Sequence, residues 1–400
     1  MRFLVFLLTV SALAADNSGG GLNAARLQTI RPRLQALVDS QTIPGAVALV
    51  ARHGKVALTE AVGWRDVENK KPMTTDSIFQ IMSMTKNFTG VAVMMLVDDG
   101  KIDLKQPIEH YLPEFHGMEV EERFNGPSAI HAPNHPPTVW QLMDHTSGMA
   151  DDPDGEMEDN PRTLRIPLAE AVRFYAHSHL RFEPGARWSY SNMGIATLGR
   201  LVEVISGEDY VHFVRTHILD PLGMRDSFYF PPDDKKDRIA LVYHHTDGKL
   251  TRAGDEILAG DAAKYRPGAK YPAPEFGLYS TAPDLVRFYQ MLLNGGEYDG
   301  RRYLSRQAID TMTRVFTPNV TPSGWMGGTG YGLTFEIVNQ PEGSLLLHSP
   351  GTFGHGGAFG TQGWIDPKND LIRIMLVQVS DGSADAPRSV VMQIGEAAVE

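Results

Sequence analysis

The strand-forming stretches of this chain lie at its two ends, and the region between them reads mainly as helix. Near the N-terminus, GAVALVARHGKVALTEAVGWRD (Gly45–Asp66) holds two runs rich in Val, Ala and Leu on either side of His53-Gly54-Lys55, the strand–turn–strand pattern of a hairpin. Toward the C-terminus, Tyr331–Ile337, Ser344–His348, Gly357–Ile365 and Leu371–Val379 are β-like, and Pro387–Ala398 closes as a helix. Helical spacing marks Leu22–Val38, Thr85–Val97, Thr163–Tyr175 and Ile195–Ile205. A further helix begins in YSTAPDLVRFYQMLLNGG, where Ser280 or Thr281 can cap it and Pro283 sits in the first turn. Residues 115 to 165, rich in Pro, His, Asp and Gly, read as a long ordered loop region. The pattern predicts an α+β fold in which one sheet is assembled from both termini. A sheet lobe would take residues 22–80 and 270–398, and a helical lobe, residues 85–270, would be inserted between its halves.

A chain of 400 residues with 42% hydrophobic content can bury a large core. Its formal net charge of -11 disfavours nucleic acid and anionic membrane surfaces as partners. With 0 cysteines it has no disulfide, no thiolate metal site and no cysteine nucleophile. The first residues, MRFLVFLLTVSALAADNSGG, combine Arg2, the apolar Phe3–Leu13 and the small-x-small Ala12-Leu13-Ala14. That is a secretory signal over residues 1–14, with a retained anchor as the alternative, and it predicts a secreted or periplasmic protein. No other run approaches the 18 or so apolar residues of a membrane span.

Serine does not attack carbonyls at neutral pH unless a base takes its proton. In SIFQIMSMTKNFTG (Ser77–Gly90), Ser83 stands three residues before Lys86 where the helical pattern begins, so the two share a helix face. A helix N-terminus also offers free N–H groups and positive dipole to an oxyanion formed beside the nucleophile. Lys86 can act as a base only when neutral, a state that burial favours. This is the only S-x-x-K in the chain, although a serine capping a helix before a surface lysine would look the same. The only Tyr-x-Asn, Tyr190-Ser191-Asn192, lies in EPGARWSYSNMGIATLG just before a helix. A tyrosine beside a cationic lysine can have its pKa drawn down and relay protons, and Asn192 could donate its amide to a substrate carbonyl. The other reading is an N-capping Ser191 or Asn192 with a buried Tyr190. In HSPGTFGHGGAFGTQGWIDP (His348–Pro367), six glycines permit close backbone approach to a ligand, and the N–H of Ala358 could be a second oxyanion donor. A glycine-rich turn without a site is the alternative.

Ser83-Met84-Thr85-Lys86, then Tyr190-Ser191-Asn192, then His355-Gly356-Gly357, in that order and at those separations, resemble the serine β-lactamase/penicillin-binding protein superfamily. The likeness is strongest to its class C β-lactamase-like branch, which includes family VIII carboxylesterases, D-aminopeptidases and DD-carboxypeptidases. LMDHTSGM (Leu142–Met149), LGM (Leu222–Met224) and GLYSTAPDL match that branch as well, and the likeness spans about residues 25 to 398. It implies a β-lactamase/DD-peptidase-like fold, an antiparallel sheet with flanking helices beside an all-helical lobe, with the cleft between them. It further implies Ser83 as the acylated nucleophile, Lys86 and Tyr190 as the shared base and acid, and Asn192 as a substrate contact. His355 and Gly357 would line the opposite wall. One departure stands out: β-lactamases of the branch usually carry Lys-Thr-Gly at the third motif. His355 is mostly neutral and Gly356 has no hydroxyl, so charge-assisted bonds to a drug carboxylate, about 1.5–3 kcal/mol each, are lost.

No G-x-S-x-G elbow supports an α/β-hydrolase. The pairs His131/His135, His177/His179 and His244/His245 raise a metallohydrolase, but none forms H-E-x-x-H. The acidic Asp151–Asp159 lacks EF-hand spacing and reads as a solvated loop at the cleft mouth. Neither a metal nor a cofactor is expected. The expectation is a secreted serine hydrolase on a small-molecule ester or amide, foremost a carboxylesterase on short-chain esters. The alternatives are a β-lactamase, a D-amino-acid-specific peptidase or DD-carboxypeptidase, and a non-catalytic binding homologue.

Overall fold

The computed structural model describes residues 20–122, 129–151, 165–253, 268–317, 322, 324, 327–340 and 347–400. The expected signal, residues 1–14, most of the acidic loop and most of the expected strand Ser344–His348 lie outside them. The hairpin read from Gly45–Asp66 is present as β1 (Gly45–Arg52) and β2 (Lys55–Asp66), with His53 and Gly54 at positive φ in its turn. A short β3 (Lys71–Pro72) pairs with β2, and five more strands come from the C-terminal third: β4 (Thr329–Tyr331), β5 (Glu336–Val338), β6 (Phe353–Gly356), β7 (Gln362–Asp366) and β8 (Leu371–Leu376). They form one eight-stranded sheet, antiparallel at every pairing, in the order β4-β5-β6-β7-β8-β1-β2-β3. The join between the two ends of the chain is β1 against β8, with Leu49 opposite Ile374.

Both faces of the central strands are covered, so apart from Arg373 and the terminal Arg52 they are apolar instead of alternating with polar residues. Val47 and Leu49 of β1 and Ile372, Ile374 and Leu376 of β8 face the larger core, which α5 (Ala282–Leu293) enters through Leu285, Phe288 and Tyr289. Ala46, Ala48 and Val50, with Leu371 and Met375, face a second core closed by α1 (Ile30–Asp39) and α6 (Asp385–Ala397). Arg373 faces the same way, wholly buried, its Nη1 2.6 Å from Glu396 Oε2 of α6. Among the helices between the two halves of the sheet are α2 (Thr85–Asp98), α3 (Leu168–Ala176) and α4 (Asn192–Ser206). Phe88 of α2 stacks on Phe288 of α5 with ring centroids 3.8 Å apart, so the helix that starts at the S-x-x-K is anchored against the sheet's own helix.

Several expectations need correction. The region 115–165, read as one long loop, holds the helix Val139–Met143 and the paired strands Val120–Glu122 and Ala129–His131, and the helix read from Thr163 begins at Leu168. The helix read over Leu22–Val38 is two, Ala24–Leu27 and Ile30–Asp39, interrupted at Gln28-Thr29. The strand read over Tyr331–Ile337 is a hairpin instead, because Thr334 turns the chain at φ 66 and its N–H donates to the Met143 carbonyl at 2.9 Å. The strand expected to begin at Gly357 begins at Gln362, after a turn whose N–H of Gly357 donates to the Thr361 carbonyl at 2.8 Å.

Candidate active site

Ser83 sits in a single 3-10 turn, Met82–Met84, that runs straight into α2. No side chain caps either helix, so the capping reading of Ser83 fails and its hydroxyl is left for other work. Met82, immediately before it, is held at φ 49, a left-handed conformation that costs an ordinary residue about 1–2 kcal/mol. Two neighbours impose it. The Ile81 N–H donates to the Leu278 carbonyl at 3.0 Å, and the Ile81 carbonyl accepts from Thr361 Oγ1 at 2.9 Å. Gly357 packs over the same carbonyl so tightly that a Cβ there would lie 2.4 Å from it and 2.2 Å from Thr361 Oγ1. The third motif thus abuts the turn that carries Ser83.

Lys86, one helical turn on, is wholly buried. Its Nζ lies 2.7 Å from Asn192 Oδ1, 2.8 Å from the Glu275 carbonyl and 3.2 Å from Ser83 Oγ. A neutral amine has two N–H bonds, which the two nearer acceptors take, so its lone pair is aimed at Ser83, whose O–H then donates. Burial lowers the Lys86 ammonium to about 7, against the opposing pull of Glu275 and Asp151. The neutral form that a base must have is therefore populated near neutral pH.

Tyr190 lies with Lys86 Nζ 4.6 Å from its ring centroid, and its hydroxyl bonds the Ser83 side chain. The expectation that a cationic lysine would draw its pKa down is reversed. Burial pushes the phenol well above its usual 10, the Ser83 bond opposes this, and Asp151, Glu336 and Glu275 add to it. Since Lys86 itself is readily neutral, no fixed cation holds a phenolate, and Tyr190 stays a proton-bearing group. Ser191 does cap α4: its Oγ accepts from the Gly194 N–H at 2.9 Å and donates to the Ala150 carbonyl at 2.8 Å. Asn192, by contrast, spends its Oδ1 on Lys86, and its Nδ2 has no partner among the described residues.

His355 is buried, and both ring nitrogens are engaged. Its Nδ1–H donates to the Gly356 carbonyl at 2.6 Å, which leaves Nε2 to accept from the Tyr331 hydroxyl at 2.7 Å. His145, at φ 64 in the LMDHTSGM segment, accepts the Ser191 N–H on Nδ1 at 3.1 Å, so its Nε2–H points to the Tyr331 oxygen at 3.3 Å. The chain Ser191 N–H, His145, Tyr331, His355, Gly356 carbonyl links the second motif to the third with every proton assigned by its partner. Burial, with Lys86 nearby, lowers His355 to about 3, so the relay is uncharged at neutral pH. The His145 ring lies 4.5 Å from that of Tyr190 and fixes its back. Ala358 is exposed in the turn after β6, not on a strand edge, and its N–H makes no hydrogen bond among the described residues.

Sequence reasoning named neither His145, Tyr331 nor Glu275 for a role. Glu275 carried a signal, as a lone acid inside the apolar run Tyr271–Tyr279. Among the described residues no three His, Asp or Glu side chains are grouped to hold a metal, and no helix is long and apolar enough to cross a membrane.

Residues 30–393 match the family model described as Beta-lactamase. The chain belongs to the beta-lactamase family. Protein Rv1367c of Mycobacterium tuberculosis is 31% identical to it over 377 residues, 89% of this chain and 91% of that one. Esterase EstB of Burkholderia gladioli is 27% identical over 409 residues, 96% and 98% of the two chains. The solved structure of EstCE1, described as a hydrolase with promiscuous acyltransferase activity, superposes with a TM-score of 0.76 at 23% identity. It covers 94% of this chain and 98% of its own, a likeness of fold. As a beta-lactamase-family protein with these relatives, the chain is a serine hydrolase.

Proposed function

We propose that the protein is a carboxylesterase that cleaves short-chain esters through an acyl-enzyme on Ser83. The observation that carries this reading is the third motif. A neutral His355 with both nitrogens engaged and a Gly356 without a hydroxyl give a substrate carboxylate neither a cation nor a donor. Asp151, Glu336 and Glu275 all act on Tyr190, an acidic setting that favours neutral esters over anionic substrates. The similarity to Esterase EstB over nearly the whole chain supports the same choice.

In this reading Ser83 Oγ attacks the ester carbonyl as its proton passes to the free amine of Lys86. The carbonyl oxygen, now an oxyanion, is met by the N–H groups of Ser83 and Ala358. Collapse of the tetrahedral adduct breaks the acyl C–O bond, and the proton reaches the departing alkoxide through the Tyr190 hydroxyl, which Lys86 reprotonates. Water then repeats the sequence on the acyl-enzyme, releasing the acid and restoring Ser83. Asn192 keeps Lys86 in line through Oδ1 and can offer Nδ2 to the acyl oxygen. The signal-like pattern of residues 1–14 supports an activity outside the cytoplasm, which N-terminal sequencing of protein recovered from the periplasm or medium would test.

The deciding experiment is a parallel rate assay with p-nitrophenyl butyrate, nitrocefin and a D-alanyl p-nitroanilide, on wild type and Ser83→Ala. The expected result is ester cleavage well above the other two, abolished in Ser83→Ala without loss of folding. Comparable nitrocefin or D-amide turnover would replace the esterase reading by a β-lactamase or D-amidase one. Retained rate in Ser83→Ala would refute the acyl-enzyme.

A further inference from the structure

Glu275 has a place in the fold that the chemistry above leaves unexplained. Its turn is tied to α2 at three points: Thr89 Oγ1 donates to the Pro274 carbonyl at 2.6 Å, Lys86 Nζ to the Glu275 carbonyl at 2.8 Å, and the Leu278 N–H to Thr85 Oγ1 at 3.1 Å. Ala273, at φ 53, bends the chain so that its carbonyl takes the Phe276 and Gly277 N–H groups at 3.0 and 2.7 Å. This fixes Glu275 beside Lys86. Glu275 is 3% exposed, with Oε1 accepting from the Tyr271 hydroxyl at 2.8 Å and Oε2 buried without a partner among the described residues. Tyr271 in turn meets the Tyr175 hydroxyl of α3 at 3.3 Å.

A carboxylate with one donor and an orphaned oxygen is expensive to bury, and so is an ammonium with only neutral acceptors. Buried in one pocket without a direct ion pair, the two groups leave it neutral overall when they hold one proton between them. We infer that Glu275 is a positioning residue for the Ser83–Lys86 chemistry: its carboxylate is the counter-charge that holds the proton on Lys86, and so it sets how much of the enzyme carries the free amine. The inference rests on the reading of Lys86 as the base. Besides Lys86 of α2, the titratable groups facing Glu275 are Tyr271 of its own turn, Tyr175 of α3, Asp151 before the cleft, and Tyr190 and Tyr210. Of these Lys86 is the sole cation, and Asp151 acts against an ionised Glu275. Burial holds Glu275 up at about 7 and lowers Lys86 to about 7, so the state of each bears on the other.

The sign follows. An ionised Glu275 favours charged Lys86, so removing its charge makes the amine easier to obtain. In Glu275→Gln the Lys86 titration should move to lower pH by about one unit, the low end for loss of a close opposite charge. The acid limb of kcat/KM should move with it. Glu275→Asp should restore most of the shift. Tyr271→Phe, which deprives the carboxylate of its donor, should move the limb the same way as Gln but less. The titration is read on the full chain by the carbon-13 resonance of Lys86 Cε, which reports whether or not any ester is turned over. A midpoint unmoved in both Glu275→Gln and Tyr271→Phe overturns the inference. A midpoint that moves while the kinetic limb stays put upholds the role of Glu275 and refutes Lys86 as the base.

Discussion

Tyr331→Phe removes one oxygen from the middle of the relay that joins the second motif to the third. Tyr331 and His145 are fully buried and His355 nearly so, and the hydroxyl serves two ring nitrogens at once. Without it, His355 Nε2 loses its donor and the His145 Nε2–H loses its acceptor. Each buried polar group left unsatisfied costs about 1–3 kcal/mol, and the long 3.3 Å contact to His145 belongs at the low end. The expected loss is therefore about 2–4 kcal/mol, with almost no packing change since only the oxygen is deleted. Equilibrium unfolding in urea at neutral pH should show it as a lower midpoint with an unchanged m-value. A double-mutant cycle with His355→Phe should return a coupling of about 1 kcal/mol or more, because the two groups share one hydrogen bond. A loss below about 0.5 kcal/mol, the size of an ordinary surface change, would sink the idea that the relay is made.

Other outcomes follow from the same geometry. The acid limb of kcat/KM should fall near the Lys86 value of about 7, with the rate dropping as pH decreases, because a protonated Lys86 cannot accept from Ser83; a rate flat down to the ordinary carboxylate range would contradict Lys86 as base. Gly357→Ala forces a Cβ within 2.4 Å of the Ile81 carbonyl, so the turn that carries Ser83 must shift, and kcat/KM should drop by about tenfold or more while the protein still folds. Arg373→Leu strands Glu396, whose carboxyl burial already holds at about 7. Its destabilisation, about 3–5 kcal/mol when the charge is left unpaired, should be larger above that pH than below it, as chemical unfolding at two pH values would show.

The elements that could be read from the sequence are those whose pattern is local. The hairpin of β1 and β2 announces itself by its glycine turn, and α2 and α5 by their spacing and caps, Thr281 serving as the cap of α5. The strands of the C-terminal third were harder. Thr334 and the turn 357–361 interrupt apolar runs that look continuous, since what bends them is a partner far away in sequence, Met143 in one case and Ile81 in the other. Ser83, Lys86, Tyr190 and Asn192 stand out because each lies in a pattern found once in the chain, and the fold brings all four to one point. His145 and Tyr331 carry no such mark, and Glu275 only that of a lone acid in an apolar run. Their surroundings are made by tertiary burial, and the same burial reverses the expected shift at Tyr190, a reversal that no inspection of neighbours along the chain could reveal.

The pairing of β1 with β8 has a consequence in time. Val47 and Leu376 are neighbours in the sheet although most of the chain separates them. A chain emerging from a ribosome or a translocation pore can close the β1–β2 hairpin early, yet the strand that completes its other edge arrives only after all the intervening helices are made. Until then β1 offers an open, apolar edge, a state open to pairing with a second copy. Ser83 and its partners are long since synthesised by that moment, but the turn from β6 that holds Met82 in its unusual conformation is not. The nucleophile is therefore set in place only once β6 and the turn after it have been made, and a chain cut short before β6 would be inert.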